Sequence, residues 1–570
     1  MVALKSSTAA AAAVLLLVPA YGHAAWPTDP AVNVPIRTGA QGSYFPSIVS
    51  DGHDGAIIVG NGTTAVWAQR VDQSGVTQWT SNGISVSDKP SYEYYVAPTM
   101  DDGAGGAIIA WMAYLGTTLY DIYVQRINGA GLRQWTSTDV PVAIGNGDHD
   151  HPVIASDGAG GVIIAWRDSR SSKYDLFAQR FDAAGVRQWS LNGIPVSQSP
   201  GDHDAPQIVA DGAGGAIIAW MDHRGAAYDI YAQRINSSGT RLWSISDPLY
   251  PLDGVPVCTA ANDQRAPALV SDGASGAILS WMDLRGADYD IYAQRLRFDG
   301  VVLWTPQGVA LNATSGHQGF QASLPDGSGG AVVTWMDTPS SAGAVYAQRV
   351  SSSGATLWTS NGVVLSASGG HDPPVIASDG GSGVIIGWPF QNATTSLDIY
   401  AQRLNSSGTP QWTALGAGVC TATGADQFAG HFQEYGQPNA VLADPGRGAI
   451  FVWEDNRASP TGVYAQRIGP NGALGGTVVG VGESSPAVAF EVVPNPAVGG
   501  VTFRAPPLAT DAAVEVLDLA GRRLWSSATA AGASRWNGAL RSGGHAPPGV
   551  YLARCSAGGQ VTTLRFVWLR

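Results

Sequence analysis

One phrase recurs along this chain and constrains its fold more than any other feature. Ala205-Pro206-Gln207-Ile208-Val209-Ala210-Asp211-Gly212 is followed by Ala216-Ile217-Ile218-Ala219-Trp220, then Asp229-Ile230-Tyr231-Ala232-Gln233-Arg234, then Gly239 and Trp243. Eight copies occur. Their Gln-Arg pairs begin at Gln69, Gln125, Gln179, Gln233, Gln294, Gln348, Gln402 and Gln466, by subtraction 54 to 64 residues apart, the longer intervals marking insertions. Such a period signals stacked units, none of which buries its apolar face alone. Within each unit, β-branched and aromatic runs alternate with Asp-Gly, Gly-Gly and Ser-Gly turn signals, which reads as four short strands. No segment carries a helical period. The expected fold class is all-β, beginning with an eight-bladed β-propeller.

The closing strands give a second count. Seven units end in a Gly-x-x-x-Trp segment expected to form the fourth strand, at Trp79, Trp135, Trp189, Trp243, Trp304, Trp358 and Trp412, whereas the eighth runs Gly472-Ala473-Leu474-Gly475-Gly476. Trp26 followed by Val34-Pro35-Ile36 matches Trp189 followed by Ile194-Pro195-Val196 and precedes the first unit. This N-terminal strand is expected to complete the last blade and remove an open sheet edge.

The segment Ala68-Gln69-Arg70-Val71-Asp72-Gln73-Ser74-Gly75-Val76-Thr77-Gln78-Trp79 resembles the tryptophan-docking motif of eight-bladed quinoprotein propellers, with one extra residue between Ala and Gly and Ser in place of the usual Thr. The resemblance implies packing between blades and carries no cofactor. The repeats also resemble Asp-Ile-Tyr-Ala-Gln-Arg repeats of secreted bacterial proteins. After about residue 480 the pattern changes. Gly480 to Ser485 reads as a linker, and residues 486–570 as a second all-β domain of sandwich size. Pro494-Asn495-Pro496, Leu519-Ala520-Gly521-Arg522, Trp536-Asn537-Gly538 and Pro548-Gly549-Val550-Tyr551 follow one another as in the C-terminal sorting domains of type IX secretion and the related hook-capping Ig-like fold, which this segment resembles. The resemblance implies transfer by outer-membrane secretion machinery, with removal of the domain and attachment of the remainder to the surface. An adhesive Ig-like module is the alternative.

The chain's start supports that address. Lys5, the apolar run Ala9 to Val18 and the small residues of Gly22-His23-Ala24 read as a signal peptide over 1–24, with the propeller spanning 26–479. The run is shorter than the roughly 20 residues that cross a bilayer, and no later stretch reaches that length. No transmembrane segment is expected after signal removal, and the protein is expected to be secreted or on the outer cell surface. Net charge is -13, from 31 Lys+Arg against 44 Asp+Glu, which argues against nucleic acid as a partner. The three cysteines do not form a disulfide framework by spacing, since Cys258 and Cys420 occupy matching points of distant repeats and Cys555 lies in the second domain.

Strand alternation puts the first and third connections of each unit on one face and the second connections and inter-unit links on the other. The second face collects longer polar loops, where binding groups belong when a scaffold positions them. Around units three to five these loops bring Asp148, His149, Asp150 and His151; Asp202, His203 and Asp204; Asp168 and Arg170; Asp222 and Arg224; and Asp283 and Arg285. Carboxylates and imidazoles suit a divalent cation, and guanidinium groups fork onto carboxylates or sugar hydroxyls. The packing alternative pairs each loop Asp and Arg with the Gln-Arg strands. Recurrence makes the Gln-Arg pairs architectural, the Asp-Gly turns serve turn formation rather than calcium, and Trp111, Trp166, Trp220, Trp281, Trp335, Trp388 and Trp453 belong to the core. Tyr92, Tyr94, Tyr95 and Tyr114 are the loop rings available for sugar stacking. No nucleophile elbow, zinc helix or phosphate loop is present. The function expected is recognition of an extracellular glycan or protein through the loop-rich face. The alternatives are a polysaccharide hydrolase or lyase centred on Asp148, His149, Asp202 and His203, and a structural surface-layer component.

Overall fold

The computed structural model describes residues 26–475 except 40–41, 63, 88, 90–96, 115–118, 246–248, 250, 339–342, 371, 392–396, 424–426, 429–439 and 458, and parts of 491–568. The expected signal peptide, the 480–485 linker, Tyr92, Tyr94, Tyr95, Pro494-Asn495-Pro496 and Leu519-Ala520-Gly521-Arg522 lie outside the described residues. The chain divides into two compact units, Met1–Val478 and Val479–Arg570.

The larger unit is an all-β propeller. No helix occurs among the described residues, and each repeat contributes an antiparallel set in chain order. In unit four, His203–Ala210, Ala216–Asp222, Asp229–Ile235 and Val255–Cys258 pair successively. The first strands, such as His149–Ser156, His203–Ala210 and Gln264–Ser271, pack on one another from unit to unit, and Val441–Asp444 of unit eight returns to Ser43–Ser50 of unit one. They therefore form the inner wall of a closed circuit. Second strands are apolar on both faces because a sheet lies on either side; all seven residues of Ala216–Asp222 are buried. Units six and seven share a sheet through the bridge of Gly370 to Phe390.

The outer strand differs from the sequence expectation. It is the Ile194–Ser197 type of segment, while Trp189 precedes it in an irregular stretch joined to the third strand by single bridges such as Phe181 to Arg187. The irregularity frees the indole to reach sideways. Trp189 Nε1 donates to the Ser237 carbonyl of the next unit at 3.1 Å, and Arg180 Nη1 donates to the same oxygen at 3.1 Å. The ring rests on Gly239 there, and at the matching Gly185 a Cβ would stand 2.4 Å from Trp135 in a backbone with φ +78°. Only glycine meets both demands.

The N-terminal segment supplies the outer strand of unit eight. Val34–Arg37 pairs with Gly462–Ile468, Val34 opposite Ala465. Trp26, 2% exposed, donates to the Gln73 carbonyl of unit one at 3.0 Å, and Arg467 reaches the same oxygen at 3.0 Å. The last junction thus repeats the chemistry of the others.

In the smaller unit, Val501–Arg504 lies between Glu491–Val493 and Ala533–Trp536, and a second sheet runs Arg523–Ala528, Ala513–Leu517, Gly549–Ala557, Gln560–Trp568. Val501, Phe503 and Trp536 of one sheet share a core with Val514, Tyr551 and Trp568 of the other.

Candidate functional site

The Gln-Arg strands are fully committed to the scaffold. Arg180 Nη2 meets Asp157 Oδ2 at 2.9 Å, while the other oxygen of Asp157 accepts the amides of Ala159 and Gly161 at 2.8 Å each. The Asp of the Asp-Gly turn, rather than an Asp of the loop face, is therefore the partner of the repeated arginine. Gln179, fully buried, accepts from the amides of Arg180 and Trp189 and donates to the Ser190 carbonyl.

On the opposite face, the loop residues knit adjacent units together. Asp148 accepts the amide of Tyr120 at 3.1 Å and Asp202 that of Tyr174 at 3.0 Å, each from the unit before. Asp168, Asp222 and Asp283 are fully buried. Each accepts its own unit's tryptophan indole, Trp166, Trp220 and Trp281, at 2.8–2.9 Å, and pairs with the arginine two residues on. Arg170, Arg224 and Arg285 lie over Phe177, Tyr231 and Tyr292 with 3.8–3.9 Å to the ring centre. Burial alone would lower the pKa of Arg224, but bidentate pairing with Asp222 reverses this and raises it. The loop Asp and Arg therefore pair with each other and not with the Gln-Arg strands.

His149 and His203 are buried beneath these loops. Burial lowers the pKa of His203, outweighing the nearby Asp222. Its Nδ1 lies 2.9 Å from the Tyr174 carbonyl and must carry the proton, which leaves Nε2 to accept from Ser197 or Ser199 Oγ at 3.0 and 2.9 Å. His149 meets the Tyr120 carbonyl at 3.2 Å. Neither imidazole faces open solvent, and among the described residues no three His, Cys, Asp or Glu side chains gather as metal ligands.

The inner wall departs from repetition at units three and four. Arg167 stands where units two, four and five carry Met112, Met221 and Met282. It donates to both oxygens of Asp150 at 2.7 and 2.8 Å and to Asp204 Oδ1 across the junction at 2.6 Å. Burial opposes its charge, yet the two carboxylates raise its pKa, and Arg167 in turn holds Asp150 below the usual carboxylate range. Asp150 also lies 2.9 Å from His151 Nδ1. Beside Asp150 and Asp204 the strand bulges, with His151 at φ +52° and Ala205 at φ +48°, a geometry shared by Phe45, Ala266 and Phe320.

Sequence reasoning missed four tyrosines. Tyr120, Tyr174, Tyr228 and Tyr289 each precede the Asp of the third strand, are partly exposed, and mark units two to five alone. Arg167 lies over Tyr174 at 4.2 Å, His223 and Arg265 lie beside Tyr228 at 4.7 and 5.1 Å, and His317 stands 5.9 Å from Tyr289. Tyr114, the described member of the expected ring set, lies 5.6 Å from Tyr120. Burial, and after it the charge of Asp222, push Asp229 up to about 6; burial and Asp283 do the same to Asp290. Their restriction to four consecutive units was visible in the sequence as Leu-Tyr-Asp, Lys-Tyr-Asp, Ala-Tyr-Asp and Asp-Tyr-Asp.

No family model and no curated protein match the chain. Among solved structures it is similar to a puromycin hydrolase (12% identity over 76% of this chain, TM-score 0.39), and spans 61% of that protein's length. It is also similar to an ulvan lyase of a new polysaccharide lyase family, at 9% identity over 77% of this chain and 96% of the lyase, with a TM-score of 0.41. A third likeness is to PorZ, a surface component of the type IX secretion system of Porphyromonas gingivalis, at 11% identity over 94% of this chain and 82% of PorZ, with a TM-score of 0.20. No helix among the described residues is long and apolar enough to cross a membrane.

Proposed function

We propose that this chain is a secreted, surface-directed, eight-bladed propeller that binds an extracellular glycan through its loop-rich face. The observation that carries the reading is the arc of Tyr120, Tyr174, Tyr228 and Tyr289, confined to units two to five and interleaved with Arg167, Arg265, His223 and His317. Sugar rings present apolar faces that stack on tyrosine and hydroxyls that bond to carboxylate and guanidinium groups. The partly exposed edges of Arg170, Arg224 and Arg285 add donors, while Asp148, His149, Asp168, Asp202, His203, Asp222 and Asp283 hold the loops that carry them. Binding of the purified chain to a glycan panel is expected to weaken about tenfold in Tyr174→Ala and again in Tyr228→Ala, with unchanged folding. No glycan bound, or binding indifferent to both changes, would refute the reading, and capture of a surface protein instead would transfer the face to a protein ligand.

The second unit serves export in this reading, as a sorting domain engaged by outer-membrane secretion machinery. A chain ending at residue 485 is then expected to accumulate in the periplasm while the full chain reaches the surface, scored by fractionation. Equal surface amounts would remove the sorting role.

A further inference from the structure

Four units hold an arginine in the same socket. In unit five, Arg285 Nε bonds Asp283 at 2.8 Å, its Nη2 reaches the Gln307 carbonyl at 2.7 Å, and its carbon lies 3.8 Å from the centre of Tyr292. Units three and four repeat this with Arg170 on the Asn192 carbonyl and Arg224 on the Asp253 carbonyl; unit eight uses Arg457 on Asp455 and Tyr464. In all four the carboxylate also accepts a tryptophan indole N–H.

Unit six has the socket, and among the described residues no cation fills it. Trp335, Asp337 and Tyr346 take the register positions of Trp281, Asp283 and Tyr292, with Trp335 stacked on Tyr346 at 5.9 Å. The residue two after Asp337, where the arginine belongs, is Pro339, and Thr338 to Gly343 contains neither Arg nor Lys. Asp337 is 6% exposed, and among the described residues its Oδ1 has no hydrogen-bond partner and neither has Trp335 Nε1. Asn361 matches Gln307 in a left-handed turn, φ +61° against +66°, and its carbonyl accepts the Asn312 side-chain amide at 3.3 Å. Units one, two and seven, which also lack the arginine at this position, lack the carboxylate too, with Gly62, Ala113 and Phe390 in its place. Unit six has kept the costly half of a buried ion pair. Burial accordingly pushes Asp337 above the usual carboxylate range, with Gln318 acting against it.

We infer that Asp337, Tyr346 and the Asn361 carbonyl form a binding site for a guanidinium group brought by a ligand. The planar fork bonds the carboxylate and the carbonyl and lies over the ring, as the chain's own arginines do in four other units. This site uses none of the four tyrosines of the arc, and its test does not depend on glycan binding.

The full chain is titrated calorimetrically with methylguanidinium, with an arginine-containing peptide and with the same peptide carrying lysine. Saturable binding of the first two is expected, with the lysine peptide about ten- to hundredfold weaker. Asp337→Asn, a near-isosteric change that removes a buried charge, is expected to fold and lose the binding. Pro339→Arg is expected to block it by filling the socket and to raise the melting midpoint without any ligand. A peptide tighter than methylguanidinium marks a protein partner, and equal affinities mark a small guanidino compound. Absence of saturable binding, equal affinity for lysine, or binding unchanged in Asp337→Asn would overturn the inference.

Discussion

Arg180 meets Asp157 inside its own unit and the Ser237 carbonyl in the next, so one guanidinium braces a hairpin turn and a junction together. Trp189 shares that carbonyl and needs a glycine beneath it. The contribution of the close approach can be isolated. Gly185→Ala introduces both a left-handed alanine and a clash with Trp135, whereas Gly158→Ala, at φ +72° with open space around it, introduces the backbone cost alone. Urea unfolding is expected to show a loss of about 1 kcal/mol for Gly158→Ala and about 2–4 kcal/mol for Gly185→Ala. Equal losses would mean that the indole does not bear on the turn. The glycines and tryptophans were legible from their spacing, but the pairing of Arg180 with Asp157 was not, because 23 residues separate them and several nearer carboxylates compete on paper.

On the second strand, the residue after the tryptophan touches the next unit's inner bulge. Met112 and Met221 offer a thioether to the amides of His151 and Ala266 at 3.4 and 3.3 Å, while Glu454 offers a carboxylate to the amide of Phe45. Burial pushes Glu454 up to about 7, with the Phe45 amide acting against it. The folded state therefore holds a proton that the unfolded chain releases near the ordinary 4.5. Stability from this group is full below that value and is lost as pH rises through about 7, a difference of about 3 kcal/mol. Asp229 and Asp290 move the same way, so the test is a difference: between about pH 5 and about pH 8 the unfolding midpoint should fall less in Glu454→Gln than in wild type. Parallel falls would exclude Glu454. Strand type and order were readable from alternation and turns, whereas the outer strand was misplaced onto Trp189 because an aromatic after a turn looks like a strand until its sideways bond is seen.

For the whole molecule, the junction of units eight and one is the one joined from both ends of the large module. Removing residues 26–37 takes away Trp26 and the outer strand, and is expected to lower the unfolding midpoint sharply and expose an unpaired edge at Gly462–Ile468. Moving the same residues to follow residue 475 in a permuted chain should restore the midpoint, since the contacts and not the order of synthesis hold the ring. A permutant as weak as the deletion would contradict that. The matching of Trp26 to Trp189 made this junction legible in advance. The candidate site was less so: burial of His149 and His203 goes with carbonyl partners in neighbouring units that a linear reading cannot align, and that of Asp168, Asp222 and Asp283 with indole bonds visible only in the folded sheet.

Gln466 donates to the carbonyl of Pro27, a contact 439 residues apart in the chain. A ribosome delivering this protein from its amino end hands over the final staple first, and that staple has nothing to grip until the eighth repeat emerges. Throughout synthesis the growing crescent therefore carries an adhesive flap at one horn, making premature capture by an intermediate repeat, or by a neighbouring copy, the characteristic error for chaperones to suppress.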